Sequence, residues 1–292
     1  MITNEVKHRI IAALAERRDN FAGSDTKFAV SIGIGGPQYS RIKNGDIDRV
    51  LSDQNWLSLA RLMEIQIGNR PQWNVAVTPI YQFITRQLEF CQENAASRLL
   101  CDVPDIGKTF TARAYVRAHK NAVYVDCSQV KTRQKLIRFI AKGFGVGHTG
   151  KYSDVYADLV FYLQSLPSSP LVILDEAGDL DYTAFLELKA LWNATERCCG
   201  WYMMGADGLR EKIRRSIEHK KVGYAELLSR YGSRYQKATP DTTEEMRRFK
   251  YEHAAMIIKA NTPAGQDLDV QRLISRTDYS LRRIQDELRK LA

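Results

Sequence analysis

The stretch Asp102-Val103-Pro104-Asp105-Ile106-Gly107-Lys108-Thr109 limits the folds open to this chain more than any other. A phosphate-binding loop of pattern G-x-x-x-x-G-K-[ST] turns backbone amides inward around phosphates. It also sends its lysine to the outer phosphates and places a hydroxyl on Mg²⁺. Gly107, Lys108 and Thr109 supply the second half of that pattern, while Asp102 stands where its first glycine belongs. Such a loop needs a strand before it and a helix after it. Residues 97–101 (Ser-Arg-Leu-Leu-Cys) read as a short buried strand. Phe110, Ala112, Ala114, Tyr115, Val116 and Ala118 then continue without Gly or Pro, as a helix does. That helix begins near Lys108 and aims its free N–H groups at the phosphates. Val103, Pro104, Asp105, Ile106 and Phe110 complete the candidate nucleotide-binding set, with ATP and Mg²⁺ as its ligands. A carboxylate at 102 repels a polyphosphate unless it points away or pairs with a cation. Its Cβ removes the freedom to adopt positive φ, and Asp105 adds a second acid, so slow or weak nucleotide binding is expected.

Two more buried strands are predicted, from Asn121 to Cys127 and from Leu171 to Leu174. The latter delivers Asp175-Glu176, and an apolar strand ending in two carboxylates is the expected partner of a phosphate loop. Asp175 is the candidate Mg²⁺ residue and Glu176 the candidate for polarising the attacking water. Trp201 to Met204 predicts a fourth strand, followed by Asp207 as a candidate γ-phosphate sensor. Arg230 and Arg234 carry the fixed fork of donors that neutralises a transferring phosphoryl group, here from a neighbouring subunit. Arg282, near the end of the chain, can swing from a lid onto the phosphates.

The 292 residues, 44% of them hydrophobic, suffice for one large core and smaller modules. No apolar run is long enough to cross a bilayer and no leader is evident, so no membrane role is expected. The five cysteines show no metal-ligand spacing, and their odd number suits a reducing cytoplasm. The net charge of +9 favours an anionic partner. Three parts separate in the sequence: an all-helical region over 1–70, a linker over 71–78, and a nucleotide core over 79–239 whose first helix is capped by Thr78 and opened by Pro79. A charged helical lid follows over 240–292.

Within the first part, Phe28 and Ala29 mark one short helix, residues 31–35 a glycine-containing turn, and Pro37 the start of a second helix. Ile42 is expected to pack inward, with Gln38, Tyr39, Arg41 and Lys43 outside. This pattern fits a helix-turn-helix whose exposed residues meet DNA; packing against the core or oligomerisation is the plainer alternative. Lys131, Arg133 and Lys135, just after the second strand, are further candidates for DNA contact.

The combination of residues 31–34 with 42–45, Gly107-Lys108-Thr109, Leu174-Asp175-Glu176 and Ser280-Leu281-Arg282 resembles the AAA+ ATPases of DNA transposition, the group of the bacteriophage Mu B protein and the transposon target-selection ATPases. The resemblance implies an AAA+ P-loop core, a parallel sheet flanked by helices, between a helix-turn-helix domain and a small helical lid. It implies an ATPase that oligomerises on duplex DNA, as a helical filament or ring, and recruits or stimulates a transposase. On that model Asp207 falls at sensor 1, Arg230 or Arg234 at the trans-acting finger and Arg282 at sensor 2. Lys131 and Arg133 fall at DNA-contacting positions. A helicase loader of the same fold, and a regulator without turnover, remain open alternatives.

Overall fold

The computed structural model describes every residue except 1, 22, 64, 66, 68–72, 263–264 and 292. Four helices come first: α1 (Asn4–Asp19), α2 (Asp25–Ile32), α3 (Gly36–Lys43) and α4 (Asp53–Leu62). Phe28, Ile42, Trp56 and Leu59 pack with Ile10 and Leu14 into a core of their own. The turn between α2 and α3 needs a left-handed residue, and Gly33 provides it at φ +79°. This module rests on the rest of the chain: the Asn20 amide donates to the Arg117 carbonyl at 2.9 Å. The Lys27 ammonium also lies 4.5 Å from the centre of the Tyr162 ring.

The central part opens with α5 (Pro79–Glu93), where the Thr78 hydroxyl accepts from the Tyr81 amide at 3.2 Å. Ile80, Ile84, Leu88 and Cys91 recur at helical spacing and are all buried. The chain then alternates β1 (Ser97–Cys101), α6 (Lys108–Ala118), β2 (Ala122–Asp126), α7 (Arg133–Gly143), α8 (Tyr152–Ser165) and β3 (Leu171–Asp175). After β3 come α9 (Tyr182–Ala194), β4 (Gly200–Gly205), α10 (Asp207–Glu218), α11 (Tyr224–Arg230) and the two-residue β5 (Tyr235–Gln236). The strands form one parallel sheet in the order β2-β3-β4-β1-β5. A parallel sheet covered on both faces wants apolar residues at every position, and β3 is buried throughout. Register places Cys101 opposite Gly205 and Asp126 opposite Asp175, so the carboxyl ends of β1 to β4 share one edge. Ligands of open α/β sheets bind beyond that edge.

Three helices close the chain: α12 (Thr243–Asn261), α13 (Val270–Arg276) and α14 (Leu281–Lys290). They share a small core of Ala254, Ile258, Ile274, Ile284 and Leu288, with Trp73 packed against it. The expected linker is therefore held in place over its later residues. The Asn74 amide donates to the Asn261 side chain at 2.7 Å, and Asn261 returns a bond to the Asn74 carbonyl at 3.2 Å. Pro71 and Gln72 of that linker lie outside the described residues. Among the described residues no helix is long and apolar enough to cross a membrane.

Candidate nucleotide-binding site

Gly107 caps α6 at φ +91° and ψ 15°, a left-handed geometry that turns the loop into the helix. The next residue, Lys108, is buried, and its ammonium donates to the carbonyls of Asp102 at 2.9 Å and Val103 at 2.7 Å. The lysine thus fills the loop from within. Burial lowers its pKa, while the carboxylates of Asp102, Asp175 and Glu176 act the other way.

Asp102 points away from the loop's mouth. Its carboxylate accepts from the amides of Ala238 at 2.7 Å and Thr239 at 3.0 Å, from the Thr239 hydroxyl, and from the Val103 amide at 2.8 Å. The expected repulsion between Asp102 and a polyphosphate is corrected by this geometry. The aspartate is 1% exposed and ties the loop to the segment leading into α12. Asp105 does adopt positive φ, +61°, and faces the lid: it accepts from the Ser280 hydroxyl at 2.8 Å and lies 3.9 Å from the Arg282 guanidinium.

The Thr109 hydroxyl donates to Asp175 Oδ2 at 2.6 Å, bringing the end of the loop to the end of β3. A hydroxyl and a carboxylate so close form an all-oxygen donor pair, which fits the preference of Mg²⁺. Glu176 follows in a left-handed conformation, φ 48°, and its carboxyl pKa is raised by burial and then by the Asp175 charge.

A cavity of about 390 Å³ opens over these groups, within the range of small-molecule sites. Residues 104–110, Glu176 and Arg282 line it. Trp73, Tyr81, Ile257, Leu281 and Gln285 add mostly apolar surface to the same lining. The buried His253 of α12 also lines it, with its pKa lowered by burial. Val103 is not among the residues lining the cavity, and its carbonyl accepts from Lys108.

Other expected residues lie elsewhere. Strand β4 ends at Gly205, so Ala206 reaches the cavity and Asp207 belongs to the first turn of α10. Asp207 is exposed and paired with Arg210 at 2.5 Å, which corrects its expected place among the phosphate-facing groups. Arg230 donates to the Asn193 side chain at 2.7 Å and covers the Trp192 ring, while Arg234 is exposed beside β5. Neither lines the cavity of its own chain. Lys131 pairs with Asp179 at 3.3 Å, Arg133 lies over Tyr152 at 5.3 Å, and Lys135 is exposed.

In α3 the expectation for Tyr39 is corrected. Tyr39 is 3% exposed and packs edge-on against Phe28 with ring centres 5.1 Å apart, so it belongs to the module's core. It shares that inner face with Ile42, three residues on. Gln38 caps its own helix, accepting from the Gly35 amide at 3.0 Å. Arg41 and Lys43 are exposed, bound respectively to Asp46 at 2.7 Å and Asp25 at 2.9 Å.

Sequence reasoning passed over Arg113, which lines the cavity, and Tyr124, which donates to Asp175 Oδ2 at 2.9 Å. Arg113 was findable, because it lies four residues after Thr109 and so on the same helical face. Nothing local pointed to Tyr124.

Residues 93–213 match the family described as AAA domain. Comparison with curated proteins gives no match. Among solved structures, the Orc1 protein of Aeropyrum pernix in complex with DNA is similar with 21% identity and a TM-score of 0.54, over 75% of this chain and 61% of that one. Cdc6p from Pyrobaculum aerophilum gives 15% identity and a TM-score of 0.44, over 72% of this chain and 62% of that one. The chain therefore spans about three fifths of the length of either structure. Neither the family match nor these structures concerns transposition. Sheet order, loop and flanking helices are those of an AAA+ P-loop core set between two helical regions.

Proposed function

We propose that this chain is an ATP-binding, DNA-associated ATPase whose assembly on duplex DNA is governed by nucleotide. The observation that carries the reading is the meeting of Gly107-Lys108-Thr109, Glu176 and Arg282 around one cavity, with Asp175 2.6 Å from Thr109. In this reading Lys108 leaves the carbonyls of Asp102 and Val103 and turns to the outer phosphates. Thr109 and Asp175 would hold Mg²⁺, which would supply positive charge to offset that of the phosphates. Glu176 polarises the attacking water, and Arg282 exchanges Asp105 for phosphate. The aromatic rings of Trp73 and Tyr81, which line the same cavity, take the base.

Arg230 and Arg234 lie outside the cavity of their own chain, so either one acts on the site of a neighbouring copy, and turnover is slow in the monomer and rises on oligomerisation. The charge of +9 suits duplex DNA, and DNA is also the partner in the solved Orc1 complex. Arg41 and Lys43 in the helix-turn-helix, with Lys131, Arg133 and Lys135, are the proposed contacts to it. The order of motifs along the chain supports target selection in DNA transposition, with a transposase as the protein partner. Electron microscopy of the protein with duplex DNA, with and without ATP, tests the reading. ATP-dependent filaments or rings, absent for Lys108→Ala, are expected; assembly indifferent to ATP and to that substitution would refute it.

A further inference from the structure

The Asp175 carboxylate is held by three donors. Its Oδ1 accepts from the Glu176 amide at 2.9 Å. Its Oδ2 accepts from both the Thr109 hydroxyl at 2.6 Å and the Tyr124 phenol at 2.9 Å. These donors differ in what anchors them. Glu176 sits in a left-handed turn and Thr109 in the first turn of α6, directly after the phosphate loop. Tyr124 stands in the middle of β2, paired in register with Ile173 of the strand that carries Asp175. Its position is set by the sheet.

The phenol is itself covered. The Arg113 guanidinium lies 5.0 Å from the centre of the Tyr124 ring and lines the cavity from α6, one turn beyond Thr109. A cation over an aromatic face is attractive, and it fixes the ring between the sheet and the cavity. The carboxylate that would meet Mg²⁺ is therefore braced from the sheet as well as from α6. Groups that hydrogen-bond a metal ligand fix its orientation and commonly change metal affinity ten- to a hundredfold when removed.

We propose that Tyr124 is a positioning residue for the Mg²⁺ site, holding Asp175 in a metal-ready orientation through its phenol while the loop rearranges around nucleotide. This rests on the nucleotide reading above. It assigns β2 a part in the site that neither the loop pattern nor the Asp-Glu pair contains.

The test is Tyr124→Phe, which removes one oxygen atom and keeps the ring under Arg113. A fluorescent ATP analogue is titrated into wild type and variant, first in EDTA and then across a range of Mg²⁺ concentrations. The expected result is a Mg²⁺ midpoint raised about tenfold, with affinity in EDTA and melting temperature unchanged and full binding restored at high Mg²⁺. A merely structural tyrosine would shift the EDTA affinity or the melting temperature, and either result without a change in midpoint would overturn the proposal. So would an unchanged midpoint. Failure of the wild type to bind the analogue under any condition would instead overturn the nucleotide reading, and this one with it.

Discussion

Charged side chains occupy motif positions both in the phosphate loop and in the second helix of the N-terminal module, and the molecule uses them in opposite ways. Asp102 is buried and surrounded by donors from a segment 136 and 137 residues away, so its charge is part of the fold. Arg41 and Lys43 are exposed and each rests on a single carboxylate. A buried carboxylate cannot lose its partners without a penalty of several kcal/mol, whereas exposed ion pairs contribute about 0–1 kcal/mol. The first kind holds the lid to the loop. The second kind can exchange one anion for another, and a DNA phosphate is a suitable replacement for Asp46 or Asp25. Burial, more than the motif, decides which charged residues are structural and which are available.

The largest effect expected from this contrast comes from restoring the glycine of the loop pattern. Asp102→Gly strands the half-buried amide of Ala238 and the buried amide and hydroxyl of Thr239, each left without its acceptor. Such losses run at about 1–3 kcal/mol apiece, so the variant is expected to be less stable by about 4 kcal/mol, read as a lower chemical-denaturation midpoint. A variant as stable as the parent, or more so, would break the comparison at its buried end. At the exposed end, the double variant Arg41→Ala, Lys43→Ala is expected to keep its stability to within about 1 kcal/mol. Its affinity for duplex DNA at low salt should fall about tenfold, and the slope of log affinity against log salt should shrink by about two. Unchanged DNA binding, measured by fluorescence anisotropy, would remove these residues from the interface.

The sequence made the core legible where chemistry forces residues close together along the chain. The strand, loop and helix around Gly107-Lys108-Thr109 follow from spacing and apolar runs, as does the apolar strand ending in Asp175-Glu176. Capping chemistry at Thr78-Pro79 located α5. What escaped depends on distance or on a single-residue shift. The partners of Asp102 are remote in sequence, and nothing near residue 102 announces Thr239. Strand β5 spans only Tyr235–Gln236, too short for any alternation to show. Asp207 was misplaced because it already opens α10, two residues past the end of β4, leaving Ala206 at the cavity. Tyr39 was expected outside, although its spacing from Ile42 already put both on one helical face.

The same contrast separates Lys108 from the other basic residues. It is a buried cation that donates to loop carbonyls, the groups it must leave to reach a phosphate. The most direct test of the account is calorimetric titration of ATP with Mg²⁺ into the wild type and into Lys108→Ala. Saturation at one nucleotide per chain is expected for the wild type, and an affinity at least about 100-fold lower for the variant, the scale of a lost charge-assisted contact. Equal affinity in the two proteins, or no binding by the wild type, would contradict it.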